Sequence, residues 1–182
     1  NKIIETEKLD GEKCALTRLS RTDELTGILN RRGFIERGQT ALDLMQETDM
    51  VGVVFFADMD GLKKINDTYG HEVGDLAIKT QAMALKEVFR STDVVGRLSG
   101  DEFGIVAVGM NLIQVDRVRL KLDMMNEKLS RENNLPFTLS VSLGAVDLQK
   151  SSILKKLLSD ADKSLYEEKR KKRHARLSEN SK

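Results

Sequence analysis

The chain has little with which to staple, anchor or divide itself. In 182 residues it holds one cysteine, one proline, two histidines and no tryptophan. The lone Cys14 forms no internal disulfide and supplies no Cys-rich zinc site, which fits a reducing, cytoplasmic setting. Pro136 is the sole proline, and no Ser/Gly-rich tract breaks the sequence into separate units. No apolar run approaches the ~20 residues that span a bilayer, and no signal peptide is visible. Thirty Lys and Arg face 29 Asp and Glu, so the net charge is +1. A general nucleic-acid binder carries a basic excess, and no nucleic-acid partner is expected.

What is present suits a soluble globular domain: 40% apolar and 32% charged residues, in a chain long enough for one core plus an appendage. Residues 1–21 are polar and weakly periodic, with Leu9 and Leu16 seven apart and Leu19 following. They read as an N-terminal helical stalk or linker, with a frayed terminal helix as the plainer alternative. Residues 22–176 read as one domain and 177–182 as a tail. The chain opens on Asn1 rather than Met, so an upstream sensor module is expected, with any membrane anchor in the full-length protein also upstream.

The apolar patterning sets out an α/β order. Val51 to Ala57 is a continuous apolar run, as a central strand buried on both faces requires. Val73 to Phe89 reads as a helix. Val94–Leu98 and Glu102–Val108 flank Ser99-Gly100 and read as a hairpin. Leu112, Val115, Val118, Leu122, Met125 and Leu129 form a helical stripe. Phe137, Leu139, Val141 and Leu143 alternate with Thr138, Ser140 and Ser142, as in a half-buried strand. Leu154, Leu158, Ala161 and Leu165 mark a final amphipathic helix. The expected fold is α/β, with a single mixed, largely antiparallel central sheet covered by helices.

Two acidic strand ends carry the chemistry. The buried run ends in Asp58-Met59-Asp60 and turns through Gly61 toward a short helix. Carboxylates at a strand end are rigidly aimed, which the octahedral geometry of magnesium demands. The following helix start offers free N–H groups to phosphate oxygens, and Lys63 adds charge there. The second acidic pair, Asp101-Glu102, sits at the predicted hairpin tip. If the hairpin lies beside the first strand, Asp58 and Asp101 share metal, while Glu102 points elsewhere. Asn66 and Asp75 supply the amide and carboxylate that a guanine edge requires, because the carboxylate accepts from N1–H and the 2-amino group. Each residue also has a plain structural reading: a helix-start Asp75, a turn-forming Asn66, a charged tip at Glu102.

Taken in order, these segments resemble the GGDEF-domain diguanylate cyclases. The resemblance runs from about Thr22 to His174. It rests on Asp23-Glu24-Leu25-Thr26-Gly27-Ile28-Leu29-Asn30-Arg31-Arg32; on Asp58-Met59-Asp60 with Lys63; on Asn66-Asp67-Thr68-Tyr69-Gly70-His71 and Gly74-Asp75; on Ser99 to Phe103; on Ser142-Leu143-Gly144; and on Ala161 to Tyr166 with Lys169. It implies a palm-like nucleotidyl-cyclase fold. Asp58, the Met59 carbonyl and Asp101 would bind Mg²⁺, with Mn²⁺ as an alternative, and Glu102 and Lys63 would join the catalytic set. Asn66 and Asp75 would read guanine, Gly100 and Leu62 would line the substrate site, and Lys63, Lys169 and Arg173 would contact the triphosphate. Two domains, each holding GTP, would face one another as a homodimer and yield cyclic di-GMP and two pyrophosphates. Arg90-Ser91-Thr92-Asp93 matches the family's product-inhibition site, whose plain alternative is an i,i+3 ion pair.

The sequence also departs from the family. Ser99 stands where the signature usually has its first glycine. Serine there costs about 1–2 kcal/mol if the position needs positive φ and is nearly free if Gly100 takes the left-handed turn. Leu62 replaces a usual aromatic, and Lys172 and His174 replace Gly and Asn around Arg173. A non-catalytic module that binds GTP or cyclic di-GMP is therefore the alternative to an active cyclase. A cyclase of adenine-containing dinucleotides is a third reading, opposed by Asp75.

Overall fold

The computed structural model describes residues 21–149 and 151–179, with side chains up to Arg170. The expected stalk before Arg21, the Arg173 side chain and the end of the tail lie outside the described residues.

The elements in chain order are α1 (Arg31–Glu47), β1 (Gly52–Met59), α2 (Leu62–Tyr69), α3 (His71–Val88), β2 (Val94–Ser99), β3 (Glu102–Val108), a 3-10 turn at Leu112–Gln114, α4 (Val115–Glu132), β4 (Val141–Asp147) and α5 (Leu154–Glu179). Asn30 starts α1 by accepting the Gly33 N–H at 2.9 Å, satisfying one of the free donors of the first turn. The four strands lie in the order β2-β3-β1-β4, and every neighbouring pair is antiparallel. Among the described residues the mixed element is a single parallel bridge from Leu29 to Gly96.

The apolar run of β1 is explained by its place between β3 and β4 with helices on both sides. Val53, Phe55 and Ala57 join a core that includes Ile78, Leu85 and Phe89 with Val118 and Leu122 of α4. Val54 belongs to a second core with Phe34 and Leu42 of α1 and Leu154, Leu157 and Leu158 of α5. Alternate β1 side chains thus enter two different cores, and a polar residue on either face would lack a partner. Helix α5 lies almost on the backbone of β4: a Cβ on Gly144 would meet the Ala161 carbonyl oxygen at 1.8 Å.

Two expectations are corrected. The alternating segment 137–143 is not one half-buried strand. Strand β4 begins only at Val141, and Ser142 is fully buried rather than solvent-facing. The reason is polar: Ser140 and Ser142 turn their hydroxyls onto Asp60, at 2.6 and 2.8 Å. Leu112, the first residue of the expected helical stripe, lies in the 3-10 turn and is 43% exposed, while the buried face of α4 includes Asn126 and Ser130. Those polar residues are used: Asn126 accepts from the Gln81 side chain at 3.1 Å, and Ser130 accepts the Leu139 N–H at 3.0 Å. No helix among the described residues is long and apolar enough to cross a membrane.

Candidate active site

The hairpin of β2 and β3 folds its acidic tip over the end of β1. Asp58 pairs in register with Glu102 on one side and Ser142 on the other. The Met59 N–H donates to the Asp101 carbonyl at 3.0 Å, so the two acidic segments named from sequence meet at one sheet end. The turn between the strands is made by Gly100, at φ +27°. Ser99 is absent from the positive-φ residues and sits at the bulge where the β2–β3 register shifts. The serine therefore carries no left-handed strain, and the cheaper of the two alternatives holds.

The electrostatics of this end are lopsided. Burial pushes the Asp58 carboxyl above its usual range, Lys169 pulls it back, and Asp101 and Asp60 push it up again. Burial likewise raises Glu102, helped by Asp58, Asp101 and Asp162 and opposed by Arg31. Lys169 reaches in from α5 and places its Nζ 2.5 Å from Asp58 Oδ1. A partly buried carboxylate group repelled by its neighbours and drawing in a cation suits a hard divalent ion. Among the described residues no three His, Cys, Asp or Glu side chains gather into a metal site. The oxygens at this strand end that could hold one are those of the Asp58 and Asp101 carboxylates, with the main-chain carbonyl of Met59. Asp60 is differently occupied: besides the two serine hydroxyls, its N–H donates to the Ser140 carbonyl at 2.8 Å, which ties the end of β1 to the approach to β4.

Beside this end, Gly61 (φ +80°) turns the chain into α2. Leu62 packs against the core, and Lys63 is exposed on the first turn. Helix α2 stops at Gly70 and α3 starts at once, folding the two helices against each other. Asn66 lies directly over Gly74: a Cβ there would sit 1.8 Å from Asn66 Oδ1. Asp75, the next residue of α3, is exposed. The predicted amide and carboxylate both come from the α2–α3 junction, where Gly74 is the unassigned residue that leaves room for Asn66.

Arg90 and Asp93 sit at the start of β2, at the other end of that strand from the acidic tip. They line a cavity of about 400 Å³ with Arg37 and Lys86. Asp93 accepts the Arg90 N–H at 2.7 Å and the Val108 N–H at 2.9 Å. The i,i+3 ion pair is not formed; the aspartate holds backbone, and the Arg90 guanidinium has no partner among the described residues.

Sequence reasoning assigned no role to Arg97. Its Nε donates to the Gly100 carbonyl at 2.9 Å, and its Nη1 donates to Asp23 at 3.2 and 3.3 Å. Asp23 Oδ1 also accepts from the Thr26 N–H and hydroxyl at 2.9 and 2.6 Å. The first motif, Asp23 to Thr26, therefore braces the turn that carries Asp101. Its sequence signal was the motif itself, which specifies no partner.

A four-stranded antiparallel sheet, two helical layers and an acidic tip define a palm-like domain of the nucleotidyl-cyclase kind. A family model for "Diguanylate cyclase, GGDEF domain" matches residues 20–175, and the chain belongs to that family. It is 32% identical over 164 residues to the probable diguanylate cyclase DgcC of Escherichia coli, covering 90% of this chain and 44% of DgcC. The chain thus spans less than half the length of that curated relative. Among solved structures, the isolated GGDEF domain of YfiN from Pseudomonas aeruginosa superimposes with a TM-score of 0.72 at 29% identity, covering 82% of this chain and 89% of that one. A microbial GGDEF domain described in interaction with cyclic di-GMP gives a TM-score of 0.69 at 32% identity, covering 82% and 92%.

Proposed function

We propose that this domain condenses two GTP into cyclic di-GMP with release of two pyrophosphates, as half of a two-fold homodimer. The observation that carries the reading is the joining of the Asp58-Met59 strand end to the Asp101 turn, with Asn66 and Asp75 at the α2–α3 junction that follows. Asp75 accepts from the N1–H and 2-amino group of guanine, and Asn66 supplies the amide, so GTP is preferred to ATP. Leu62 and Gly100 line the nucleotide, with Lys63 at the start of α2, Lys169 and Arg173 holding phosphate oxygens. Mg²⁺ or Mn²⁺, held by Asp58, Asp101 and the Met59 carbonyl, would neutralise triphosphate charge and lower the pKa of the attacking hydroxyl.

The 3′-oxygen of one GTP bonds to the α-phosphorus of the other, the bond to the bridging oxygen breaks, and pyrophosphate leaves. The hydroxyl proton passes to Glu102, the carboxylate beside Asp101 in the catalytic set. Repeating the step closes the ring. Most of the acceleration comes from positioning and fixed charge. The Arg90 cavity is read as the product-inhibition site, which the likeness to a GGDEF domain that interacts with cyclic di-GMP supports. The setting is cytoplasmic, under the control of an upstream sensor.

The test is turnover. The chain fused to a constitutive dimeriser is incubated with GTP and Mg²⁺, and cyclic di-GMP is measured chromatographically. Product is expected; none at high protein concentration, with GTP still bound, would favour the non-catalytic module.

A further inference from the structure

The geometry points to Arg119 of α4 as a positioning residue that seats Lys169 through Glu168. This rests on the reading of Lys169 as a triphosphate ligand. Leu165 is the last buried apolar side chain of α5 among the described residues, at 3% exposure. Past it, Tyr166, Glu167 and Arg170 are exposed, so among the described side chains no buried apolar residue anchors the turn that bears Lys169. Two polar anchors do. Lys169 binds Asp58. Glu168 accepts the Leu143 N–H at 3.1 Å and pairs with Arg119 Nη2 at 2.6 Å. The same Arg119 nitrogen donates to the Leu143 carbonyl at 3.0 Å, and Arg119 Nη1 reaches Asp116 at 2.8 Å.

The arrangement follows from the sheet. Strand β4 is an edge, so Leu143 has an N–H and a carbonyl facing away from β1. Glu168 and Arg119 complete that residue as a missing strand would, and so lock α4, β4 and α5 together. The pair is shielded, with Glu168 only 15% exposed, which strengthens it relative to a surface ion pair. When Lys169 turns from Asp58 to a triphosphate, one of its two anchors is released. Glu168, held by Arg119, is then what keeps the turn, and with it the ammonium, over the phosphates.

The test is a double-mutant cycle on the full chain, read as affinity for the non-cyclisable analogue 3′-deoxy-GTP with Mg²⁺. Lys169→Ala is expected to weaken binding about tenfold and Arg119→Ala about fivefold, with the double variant no weaker than Lys169→Ala alone. Glu168→Gln keeps the bond to Leu143 but loses the ion pair. It is expected to weaken binding like Arg119→Ala, and it carries the test if Arg119→Ala does not fold. Full additivity with Lys169→Ala, or unchanged affinity in folded Arg119→Ala and Glu168→Gln, overturns the proposal while leaving Lys169 a ligand. Unchanged affinity in Lys169→Ala overturns both the proposal and the reading beneath it.

Discussion

Met59 donates its main-chain N–H to the carbonyl of Asp101 at 3.0 Å. This one bond fixes the hairpin turn to the end of the central strand. It is a backbone bond, so it survives changes to either side chain. The acidic side chains on both sides can therefore be altered chemically without releasing the frame that aims them. A carboxylate group held this way is repelled by its own members.

Asp101→Asn should abolish cyclic di-GMP formation, by at least about 100-fold, in a protein that folds normally. Removing one charge from a repelling group also relieves Asp58 and Glu102, both raised by burial and by their neighbours. Thermal unfolding should thus occur at the same temperature or higher. Retained turnover in this variant would refute the shared-metal assignment.

Gly74→Ala tests the guanine corner without replacing either residue that would read the base. The added methyl would stand 1.8 Å from Asn66 Oδ1, so the amide must swing away. Alanine otherwise favours the helix by about 0.5–1 kcal/mol, so the fold should persist. KM for GTP should rise roughly tenfold, equivalent to about 1.4 kcal/mol, and Asn66→Ala should give the same rise. Adding the two changes should bring no further loss. Steady-state kinetics with GTP and with ATP as competitor provide the check.

Arg90 and Asp93 should separate on mutation. The Arg90 guanidinium makes no hydrogen bond or ion pair among the described residues, so Arg90→Ala should abolish product inhibition and leave initial rate and stability unchanged. Asp93 accepts two backbone N–H groups, so Asp93→Ala should also lower stability, by about 1–3 kcal/mol in urea unfolding. Unaltered inhibition by added cyclic di-GMP in Arg90→Ala would remove the regulatory reading of this cavity.

The legible and illegible parts of the molecule differ in range. The central position of β1 is written in Val53, Val54 and Phe55, because only a strand covered on both faces tolerates that run. The hairpin was legible from Ser99-Gly100 between two β-type segments, and the order of motifs gave the family. What could not be read were polar partners far apart in sequence. Asp60 finds Ser140 and Ser142, Asp23 finds Arg97, and Arg119 finds Glu168, each across a gap that no local periodicity encodes. Ser140 and Ser142 looked like the solvent face of an alternating strand for this reason. Alternation reports that one face is polar; it does not say whether that face meets water or a partly buried carboxylate.

The brace from Asp23 to the hairpin carries a pH signature. Burial raises the Asp23 carboxyl, but the Thr26 hydrogen bonds and the Arg97 pair outweigh it and hold the group below the usual aspartate range. A depressed pKa contributes stability that is present above the unfolded-state value of about 3.9 and lost as pH falls through the folded-state value. Asp23→Asn should therefore destabilise the protein at pH 7, by about 1–3 kcal/mol. The gap to the parent should close as acid protonates the native carboxylate. Arg97→Ala should lower neutral-pH stability too, and it also frees the Gly100 carbonyl, so its turnover should fall further than its stability accounts for. Urea unfolding from pH 7 down to pH 3, with turnover measured at pH 7, separates these effects. A stability difference for Asp23→Asn that stays constant across that range would show that Asp23 acts by shape and not as a charged brace.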